Sequence, residues 1–440
     1  MTANARVAVA PPPAPAPASV PPPALRASQR LAYGVLGFPL AMAALPLYVH
    51  LPKFYGDHLG VPLAVLGALL LALRLADGIA DPLLGAWSDR AASRKPLIAA
   101  AMPVLAVGVA ALFMPTARDT ASLVVWLGLA LAVTYAAFSV ATINHNAWGA
   151  ELSADPVERT RITAVREALA LAGVVVASVA PGWLGGGSDT AGLPRFALAF
   201  GVLALAVTAF TLAFAPPGTR SRTATPLARS VAVPLTDPAF RRLLVAFVVN
   251  GIASAIPATL VLFFVADVLQ AEVRQGTFLA LYFVAGAIGM PLWVRLSARI
   301  GKVGAWRIAM LAAIAAFFGA SWLAAGDDVA FAVVCVVSGL TLGADLALPP
   351  SILADVIGRR GPMQATGAYF GLWTLATKLN LALAAGIALP LLAALGYAPG
   401  SREPGALTAL ALVYAALPCV LKLCAVAALQ RFARRPPDGC

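Results

Sequence analysis

Long apolar segments recur along the chain from Leu31 onward, and short polar or charged segments separate them. A helix needs about 20 residues to cross the hydrocarbon core of a bilayer. The runs of Ala, Leu and Val lack the alternation of a barrel strand, and lipid cannot pair free backbone groups, so each segment is predicted to be helical. The pattern predicts an all-α membrane protein with about twelve transmembrane helices. The predicted spans are residues 31–54, 61–88, 97–115, 121–150, 160–182, 193–215, 240–268, 275–300, 304–324, 328–356, 364–395 and 405–430.

A connection rich in Pro, Ser, Thr and Arg, residues 216–238, divides this pattern. Such a composition interrupts transmembrane segments. It predicts a cytoplasmic linker between two six-helix bundles, residues 29–215 and 239–432. Three residues at the end of the first helix recur at the same spacing at the end of the seventh. They are Phe54, Asp57 and Leu59, and Phe264, Asp267 and Leu269.

This repeat favours two parallel, pseudo-symmetric halves, the arrangement of transporters that rock around a central site. Chance similarity between helices rich in Ala and Leu is the alternative.

Charged residues make up 11% of the chain, against about 25% in soluble domains, which excludes a soluble protein. The net charge of +12 comes from Lys and Arg scattered between apolar segments, not from a basic face with aromatic residues, so nucleic acid is not an expected partner. The basic residues concentrate in the connections that follow even-numbered helices, which the positive-inside rule places in the cytoplasm together with both termini. They are Arg90, Arg94, Lys95, Arg159, Arg161, Arg295, Arg299, Lys302, Arg307, Arg359 and Arg360.

Proline runs in residues 1–28 predict a disordered tail, and they interrupt the hydrophobic core that a signal peptide would need. Residues 433–440 are predicted to form a second cytoplasmic tail. We therefore expect a monomeric multi-pass protein of a bacterial inner membrane, whose partners are the lipid bilayer and a small solute.

The four cysteines have neither zinc nor disulfide spacing, and no Gly-x-x-x-x-Gly-Lys-Ser/Thr phosphate loop occurs. The sequence thus predicts neither an enzyme nor a cofactor other than a coupling ion. A membrane-embedded transferase is one alternative, but it would need long polar loops to hold a lipid head group. A scaffold is another, but it would have no reason to place titratable residues inside the membrane.

The second predicted helix carries Arg74, Asp77 and Asp81 on one face, because their spacings are three and four residues. Each charge costs about 2.5–3.5 kcal/mol at the centre of a membrane helix, so this face must point to protein or water. A structural ion pair with Arg74, which is the alternative, requires only one carboxylate. Two carboxylates a turn apart favour a site for a coupling ion, either Na⁺ or a proton that the pair shares.

The same helix ends in Gly85-x-x-x-Asp89-Arg90, followed by Arg94. This resembles the signature between helices two and three of the major facilitator superfamily. The glycine permits close helix approach, and Asp89 is placed to act as a charge latch at a neighbouring helix end. We expect Asp89, Arg90 and Arg94 to take part in gating. A solvated loop cluster is the alternative for Asp89 and Arg90.

An ordered set of motifs resembles the glycoside-pentoside-hexuronide:cation symporter family over nearly the whole chain after the tail. The motifs are Tyr33-Gly34, Arg74-x-x-Asp77-x-x-x-Asp81-Pro82, Glu151-Leu152, Asp155, Glu158-Arg159-Thr160-Arg161, Arg166, Gly301-Lys302, Ala354-Asp355 and Gly371-Leu372-Trp373 through Lys378. The resemblance implies the major facilitator fold and cation-coupled symport.

The resemblance assigns Asp77 and Asp81 to the cation site, Lys378 to the central cavity and Asp355 to gating. Trp148 and Arg166 match residues associated with substrate binding. The full set of candidate substrate-binding residues is Asn144, His145, Trp148, Arg166 and Thr374.

Four positions depart from the family pattern. Ala41 and its helix-four equivalent Asn144 stand where sugar-binding Asp residues are expected. Ala80 and Ala141 replace neutral oxygen ligands of sodium-coupled members. Because carboxylates alone suffice for a proton, these losses favour a proton over Na⁺ at Asp77 and Asp81, and no other metal is expected.

Several polar residues in the predicted spans have two open interpretations. His145 suits a proton relay because imidazole titrates near neutral pH, but a neutral imidazole hydrogen-bonded within the bundle is the alternative. Asp345 and Glu167 suit either an interhelical ion pair or a substrate contact, and Asn250 and Lys422 are undecided in the same way.

Lys378 lies near the middle of a long apolar stretch. We expect it to lie between Asp77 and Asp81, since an unpaired lysine is costly in hydrocarbon. A lysine that extends its amine to the membrane surface is the alternative.

These residues predict a secondary active symporter that couples a proton, or Na⁺ in the alternative, to a sugar or glycoside by alternating access. The same architecture carrying an amphipathic or other non-sugar solute is the second hypothesis, because alanine replaces polar cavity residues.

Overall fold

The structure is a computed structural model that describes residues 25–117, 119–186, 189–218, 227–359, 365–398 and 400–434. Every regular element within these ranges is a helix. Each predicted span coincides with a helical segment, and ten of the described helices are long and apolar enough to cross a membrane. The apolar pattern therefore gives the correct fold class.

The first half of the chain contains six long helical segments. Helix α1 comprises Ala27–Gly34, Gly37–Leu45, Pro46–His50, Leu51–Lys53 and Phe54–His58. It is followed by α2 (Leu63–Ser88), α3 (Lys95–Phe113), α4 (Thr120–Glu151), α5 (Pro156–Leu184) and α6 (Asp189–Phe214).

The second half repeats this arrangement. Its helices are α7 (Pro238–Phe263, continued by Phe264–Val268), α8 (Gln275–Ile300), α9 (Lys302–Ala320), α10 (Asp328–Gly358), α11 (Thr366–Ala394) and α12 (Pro404–Ala411, Leu412–Ala416 and Leu417–Arg434).

The sequence repeat at the ends of α1 and α7 has a structural counterpart. Both helices end in a π-helical turn, Phe54–His58 in one and Phe264–Val268 in the other. The leucine after each turn donates its N–H to the carbonyl of the phenylalanine that begins it, at 3.1 Å in both cases. Shared apolar composition does not account for this common backbone geometry.

Aspartate side chains fix where several helices begin. Asp119, Asp155 and Asp237 precede α4, α5 and α7, and each accepts hydrogen bonds from backbone N–H groups of the first turn. These N–H groups have no partner inside the helix, so a capping side chain contributes about 1 kcal/mol. Pro156 and Pro238 follow two of these caps, at a position where proline loses no hydrogen bond.

The two halves meet where α2 packs against α11 and where α5 packs against α8 and α10. Glycine permits the closest approach: a Cβ added to Gly85 of α2 would lie 2.0 Å from the carbonyl oxygen of Gly367. A Cβ on Gly371 of α11 would lie 2.5 Å from the carbonyl oxygen of Asp81. Small residues therefore bring the backbone of α11 against the charged segment of α2.

The connection predicted as a linker contains a further helix, Leu227–Thr236. This helix contacts α2, α7 and α11, and Val231 and Val233 pack against the apolar core beneath it. Ten residues are too few to cross a membrane, so the apolar pattern did not reveal this element.

The predicted tails coincide only in part with described residues. Ala27 and Ser28 already belong to α1, and residues 1–24 lie outside the described ranges. Helix α12 extends to Arg434, and residues 435–440 lie outside them, as does Arg360.

Candidate functional site

The charged face of α2 lies against α4 and α11, where four polar side chains contact one another. We call Asp77, Asp81, Ser139 and Lys378 the interface cluster, because it joins the two halves. The Lys378 Nζ atom lies 2.5 Å from Asp77 Oδ2 and 2.8 Å from Asp81 Oδ2. It also donates to Ser139 Oγ at 3.0 Å, and that hydroxyl donates to Asp77 Oδ1 at 2.8 Å. The predicted proximity of Lys378 to both carboxylates is thus present in the structure.

These side chains are enclosed by protein. The exposed fraction is 0% for Asp81, 6% for Asp77 and 11% for Lys378. A lysine that extends to the membrane surface is therefore the wrong interpretation of Lys378. Arg74, half-buried one turn before Asp77, is the next charge on α2.

The interface cluster contains more negatively than positively charged groups. Two carboxylates and one ammonium give these four residues a formal charge of −1. Asp81 Oδ1 accepts a hydrogen bond from Lys378 at 3.1 Å, whereas Asp81 Oδ2 has no hydrogen-bond donor among the described residues. Its 2.8 Å contact with Lys378 is an ion pair without hydrogen-bond geometry. This oxygen can therefore accept a proton while the lysine stays in place.

Asp89 connects the end of α2 to the start of α11. Its carboxylate accepts from the backbone N–H groups of Gly367 at 2.7 Å and Ala368 at 3.0 Å. Only 2% of Asp89 is exposed. A buried carboxylate at a helix N-terminus is favoured by the free N–H groups and by the helix dipole. Asp89 is thus not part of a solvated loop cluster, whereas Arg90 is exposed.

Arg94 holds Asp89 in this position. It donates to Asp89 Oδ1 at 2.7 Å, Glu151 Oε1 at 2.9 Å and Asn144 Oδ1 at 3.2 Å. Burial alone would lower the pKa of Arg94, but the charges of Glu151 and Asp89 more than offset burial and raise it. The guanidinium therefore stays charged, and Asn144 is engaged by this network.

Asp355 forms a second polar contact between the halves. It lies 2.5 Å from Lys302 Nζ of α9 and 3.2 Å from Arg159 Nη1 of α5. Arg159 also donates to the carbonyl of Ala354 at 3.0 Å. The contacts of Asp89 and Asp355 thus tie the two halves together on the side predicted to be cytoplasmic.

Three of the candidate substrate-binding residues, His145, Trp148 and Arg166, lie around Tyr33, whose ring centre is 4.5 Å from that of His145 and 5.5 Å from that of Trp148. Trp148 donates to the carbonyl of Pro216 at 3.1 Å and lies beneath the end of α6. Arg166 pairs with its neighbour Glu167. The Thr374 hydroxyl donates to a carbonyl of its own helix at 2.9 Å. Their roles in substrate binding therefore stay predictions.

His145 of α4 packs against α1. The Tyr33 hydroxyl donates to the His145 carbonyl at 2.8 Å, and His145 Nε2 lies 3.0 Å from the Tyr33 carbonyl. Because a carbonyl only accepts, Nε2 carries the proton. The hydrogen bond to a backbone carbonyl fits the alternative of an imidazole bonded within the bundle, and the role of His145 stays a prediction.

A second group of polar side chains lies inside the C-terminal half. We call Asn250, Ser254, Trp306, Asp345 and Lys422 the bundle cluster. Lys422 Nζ lies 3.2 Å from Asp345 Oδ2 and donates to Asn250 Oδ1 at 2.8 Å. Asp345 also accepts from Trp306 at 2.8 Å, Asn250 at 3.0 Å and Ser254 at 3.2 Å. Asp345 and Lys422 thus form an interhelical ion pair.

The sequence did not single out Ser139, Ser254 or Trp306 as site residues, and Glu151 was visible only as part of a short motif. A hydroxyl or an indole at a membrane-helix position is common and carries no charge that demands a partner. Lys302 and Arg159 were visible only as parts of short motifs.

A family model described as MFS/sugar transport protein matches residues 31–433. An uncharacterized symporter of Synechocystis sp. is 29% identical over 168 residues, which cover 35% of this chain and 30% of that protein. An isoprimeverose transporter of Lactiplantibacillus pentosus is 24% identical over 205 residues, 44% of this chain and 43% of that protein. The chain thus spans less than half the length of these curated relatives.

The fold is shared with solved transporters. The crystal structure of a bacterial homologue of the iron transporter ferroportin in an outward-facing state superposes with a TM-score of 0.71. The superposition covers 93% of this chain and 100% of that one at 19% identity. This likeness confirms the predicted major facilitator architecture.

Proposed function

The chain belongs to the MFS/sugar transport protein family, and from this premise we propose that it is a proton-coupled symporter of a sugar or glycoside. The family is described as sugar transport proteins, and the curated relatives as a symporter and an isoprimeverose transporter. The observation that carries the proposal is the interface cluster, in which a carboxylate in excess of the available ammonium lies between the moving halves.

The excess carboxylate accounts for coupling. When Asp81 Oδ2 takes up a proton, the four-residue cluster becomes neutral and Lys378 stays paired with Asp77. A neutral cluster avoids the cost of carrying a net charge through a low-dielectric interior while the halves rock. Protonation therefore permits the loaded carrier to reorient. Arg74 modulates this charge balance from the next turn of α2.

The geometry favours a proton over Na⁺. Lys378 occupies the space between the two carboxylates where a metal ion would bind, so Na⁺ would have to displace the ammonium. Ser139 supplies only one neutral oxygen, and Ala80 and Ala141 supply none. A proton needs only the free lone pair of Asp81. Uptake should then fall as the pH rises and the shared proton is lost.

Asp89, with Arg94, and Asp355 serve as gates in this proposal. Both carboxylates are engaged across the halves, as expected when the cytoplasmic side is closed and the carrier faces outward. Reorientation requires these contacts to break, and exposed Arg90 assists from the same connection. The proposal places both termini and the linker in the cytoplasm of a bacterial inner membrane, with a monomer as the working unit.

The test is solute uptake by proteoliposomes that contain the purified full chain. A panel of glycosides, pentoses and uronates is offered under a proton gradient alone and a sodium gradient alone. We expect accumulation under the proton gradient, and its loss in Asp81→Asn but not in Asp328→Asn, whose carboxylate pairs with Arg274 at the surface. Accumulation that collapses without Na⁺ at constant pH would refute proton coupling.

A further inference from the structure

The C-terminal half contains a cavity of about 140 Å³ between α7, α8, α9, α10 and α12. Aromatic side chains form much of its wall. They are Phe278, Tyr282, Phe283, Phe317 and Tyr414. Asp345 and Lys422 of the bundle cluster form a charged end of the same cavity. It therefore combines a mostly apolar surface with a few polar groups, which is the usual composition of a small-molecule site.

The cavity borders the boundary between the halves. Phe283 and Leu342, which line it, pack in one apolar cluster with Ala168 and Leu171 of α5. Helix α5 belongs to the N-terminal half, so rocking of the halves changes this wall. A ligand in the cavity thus lies beside the surface along which a transported solute must pass.

Polar groups in the cavity wall are available to a ligand. Neither the Tyr282 nor the Tyr414 hydroxyl has a hydrogen-bond partner among the residues that the structure describes. Tyr414 is only 3% exposed as a whole residue, and Tyr282 is half-buried. A ligand oxygen could accept a hydrogen bond from either hydroxyl.

We propose that this cavity binds a ring-sized apolar group of the transported solute, so that the substrates are amphipathic glycosides with an aromatic aglycone. The inference rests on the proposed function and names its substrate class. The volume is close to that of a cavity of about 150 Å³ that holds benzene in another protein. Aromatic walls suit the edge or face of such a ring, and the tyrosine hydroxyls can donate to the oxygen that links the ring to the sugar.

The N-terminal half supports this assignment. Ala41 offers no carboxylate to a sugar hydroxyl, and Asn144 is engaged by Arg94. With fewer polar contacts to the sugar, the apolar group contributes a larger share of the binding free energy. This places the determinant of specificity in the C-terminal half.

The test compares matched glycosides that differ only in the aglycone. Binding of phenyl and methyl β-glycosides of glucose, galactose and xylose to the purified full chain is measured by calorimetry. Burial of a phenyl ring should make the phenyl member of at least one pair bind about 10- to 100-fold more tightly. Ala258→Trp, at the cavity wall, should remove this advantage. Ala280→Trp, an equally bulky change at an exposed α8 position that does not line the cavity, should keep it.

A second variant keeps the volume of the site. Tyr414→Phe removes only a hydroxyl and should weaken binding of the phenyl glycoside by about 3- to 10-fold. Equal affinities within every pair, no binding of any phenyl glycoside, or a phenyl advantage that survives Ala258→Trp would each overturn the inference.

The same protein in liposomes separates this inference from the proposed function. Proton-driven uptake of methyl glycosides with no preference for phenyl would overturn the substrate class and leave the symport proposal standing. Phenyl-selective binding that Ala258→Trp abolishes, with no uptake under any ion gradient, would support the cavity and refute symport.

Discussion

The interface cluster and the bundle cluster each place a lysine against carboxylate oxygen inside membrane helices, yet they are built differently. Lys378 faces two carboxylates and connects α11 with α2 and α4, across the two halves. Lys422 faces one carboxylate, Asp345, and every member of its cluster lies in the C-terminal half. The four residues of the first cluster carry a formal charge of −1 between the two halves, whereas the second cluster is neutral within one half.

The hydrogen bonds show the same contrast. Both oxygens of Asp345 accept hydrogen bonds, from Trp306 and Asn250 on one and from Ser254 and Lys422 on the other. Asp81 Oδ2 has no donor among the described residues. A saturated, neutral pair holds helices together, while an unsaturated, charged one can exchange a proton. Of these two clusters, we therefore propose the interface cluster as the one that couples transport to a proton.

The largest expected effect is on accumulation by Asp81→Asn. An amide cannot bind and release a proton, so uptake against a gradient should disappear while downhill exchange survives. Radiolabelled solute in proteoliposomes measures both. Accumulation at the wild-type level by this variant would remove Asp81 from the mechanism.

Disruption of the bundle cluster should lower the stability of the folded protein. Lys422→Met leaves Asp345 buried without its cation, and loss of one partner of a buried pair costs roughly 3–5 kcal/mol. The unfolding midpoint in detergent should fall accordingly. The double variant Lys422→Met with Asp345→Leu should recover most of the loss, because no unpaired charge remains. A midpoint unchanged by Lys422→Met would contradict the structural role of this pair.

Lys378→Ala should affect the protein differently from Lys422→Met, because the carboxylates of Asp77 and Asp81 can take up protons. Without the ammonium these two carboxylates should bind protons more tightly, and transport should be uncoupled from the proton gradient. Its stability should be kept at low pH, where the carboxylates are neutral, and lost as the pH rises and they become charged. Exchanging the two residues, Lys378→Asp with Asp77→Lys, should restore part of the activity. If Lys378→Ala lost stability equally at every pH, as expected for Lys422→Met, the two clusters would not differ in their ability to take up protons.

Asp89→Ala tests a contact between the halves in which a carboxylate caps a helix N-terminus. Loss of the cap on α11 should cost about 1–2 kcal/mol. The amides of Gly367 and Ala368 should exchange hydrogen for deuterium faster, which mass spectrometry detects. Arg299→Ala, at an exposed residue near the end of α8, serves as the control. Unchanged exchange in Asp89→Ala would show that this capping contact is unimportant in solution.

The smallest effect should come from Ser139→Ala. The hydroxyl bridges Lys378 and Asp77 without contributing charge, so its loss should change proton affinity by only about 3- to 10-fold. The pH dependence of uptake should shift without loss of accumulation. Abolished coupling would instead give Ser139 a role equal to that of the carboxylates.

Charged residues are scarce inside the apolar helices, and for this reason the sequence revealed the charged part of the site. Asp77, Asp81 and Lys378 stand out because a charge inside an apolar helix must find a partner. Helix spans were equally visible, because a bilayer fixes their length. The partners of neutral groups were not: Trp148 and His145 bind backbone carbonyls of Pro216 and Tyr33, which no side-chain pattern marks.

Some site residues depend on which helices pack against each other, and the sequence does not reveal that packing. Ser139 and Trp306 became site residues only because α4 and α9 lie beside charged helices. The short helix Leu227–Thr236 escaped notice because a length criterion for membrane spans does not detect it.

The most direct test of the account follows the protonated carboxyl group itself, which needs no knowledge of the solute. Infrared difference spectra of the purified full chain are recorded as the pH is raised at constant Na⁺. We expect a carboxylic acid band that disappears with rising pH, persists in Asp328→Asn and is absent from Asp81→Asn. A band that survives Asp81→Asn unchanged, or one displaced by Na⁺ at constant pH, would contradict a proton held by the interface cluster.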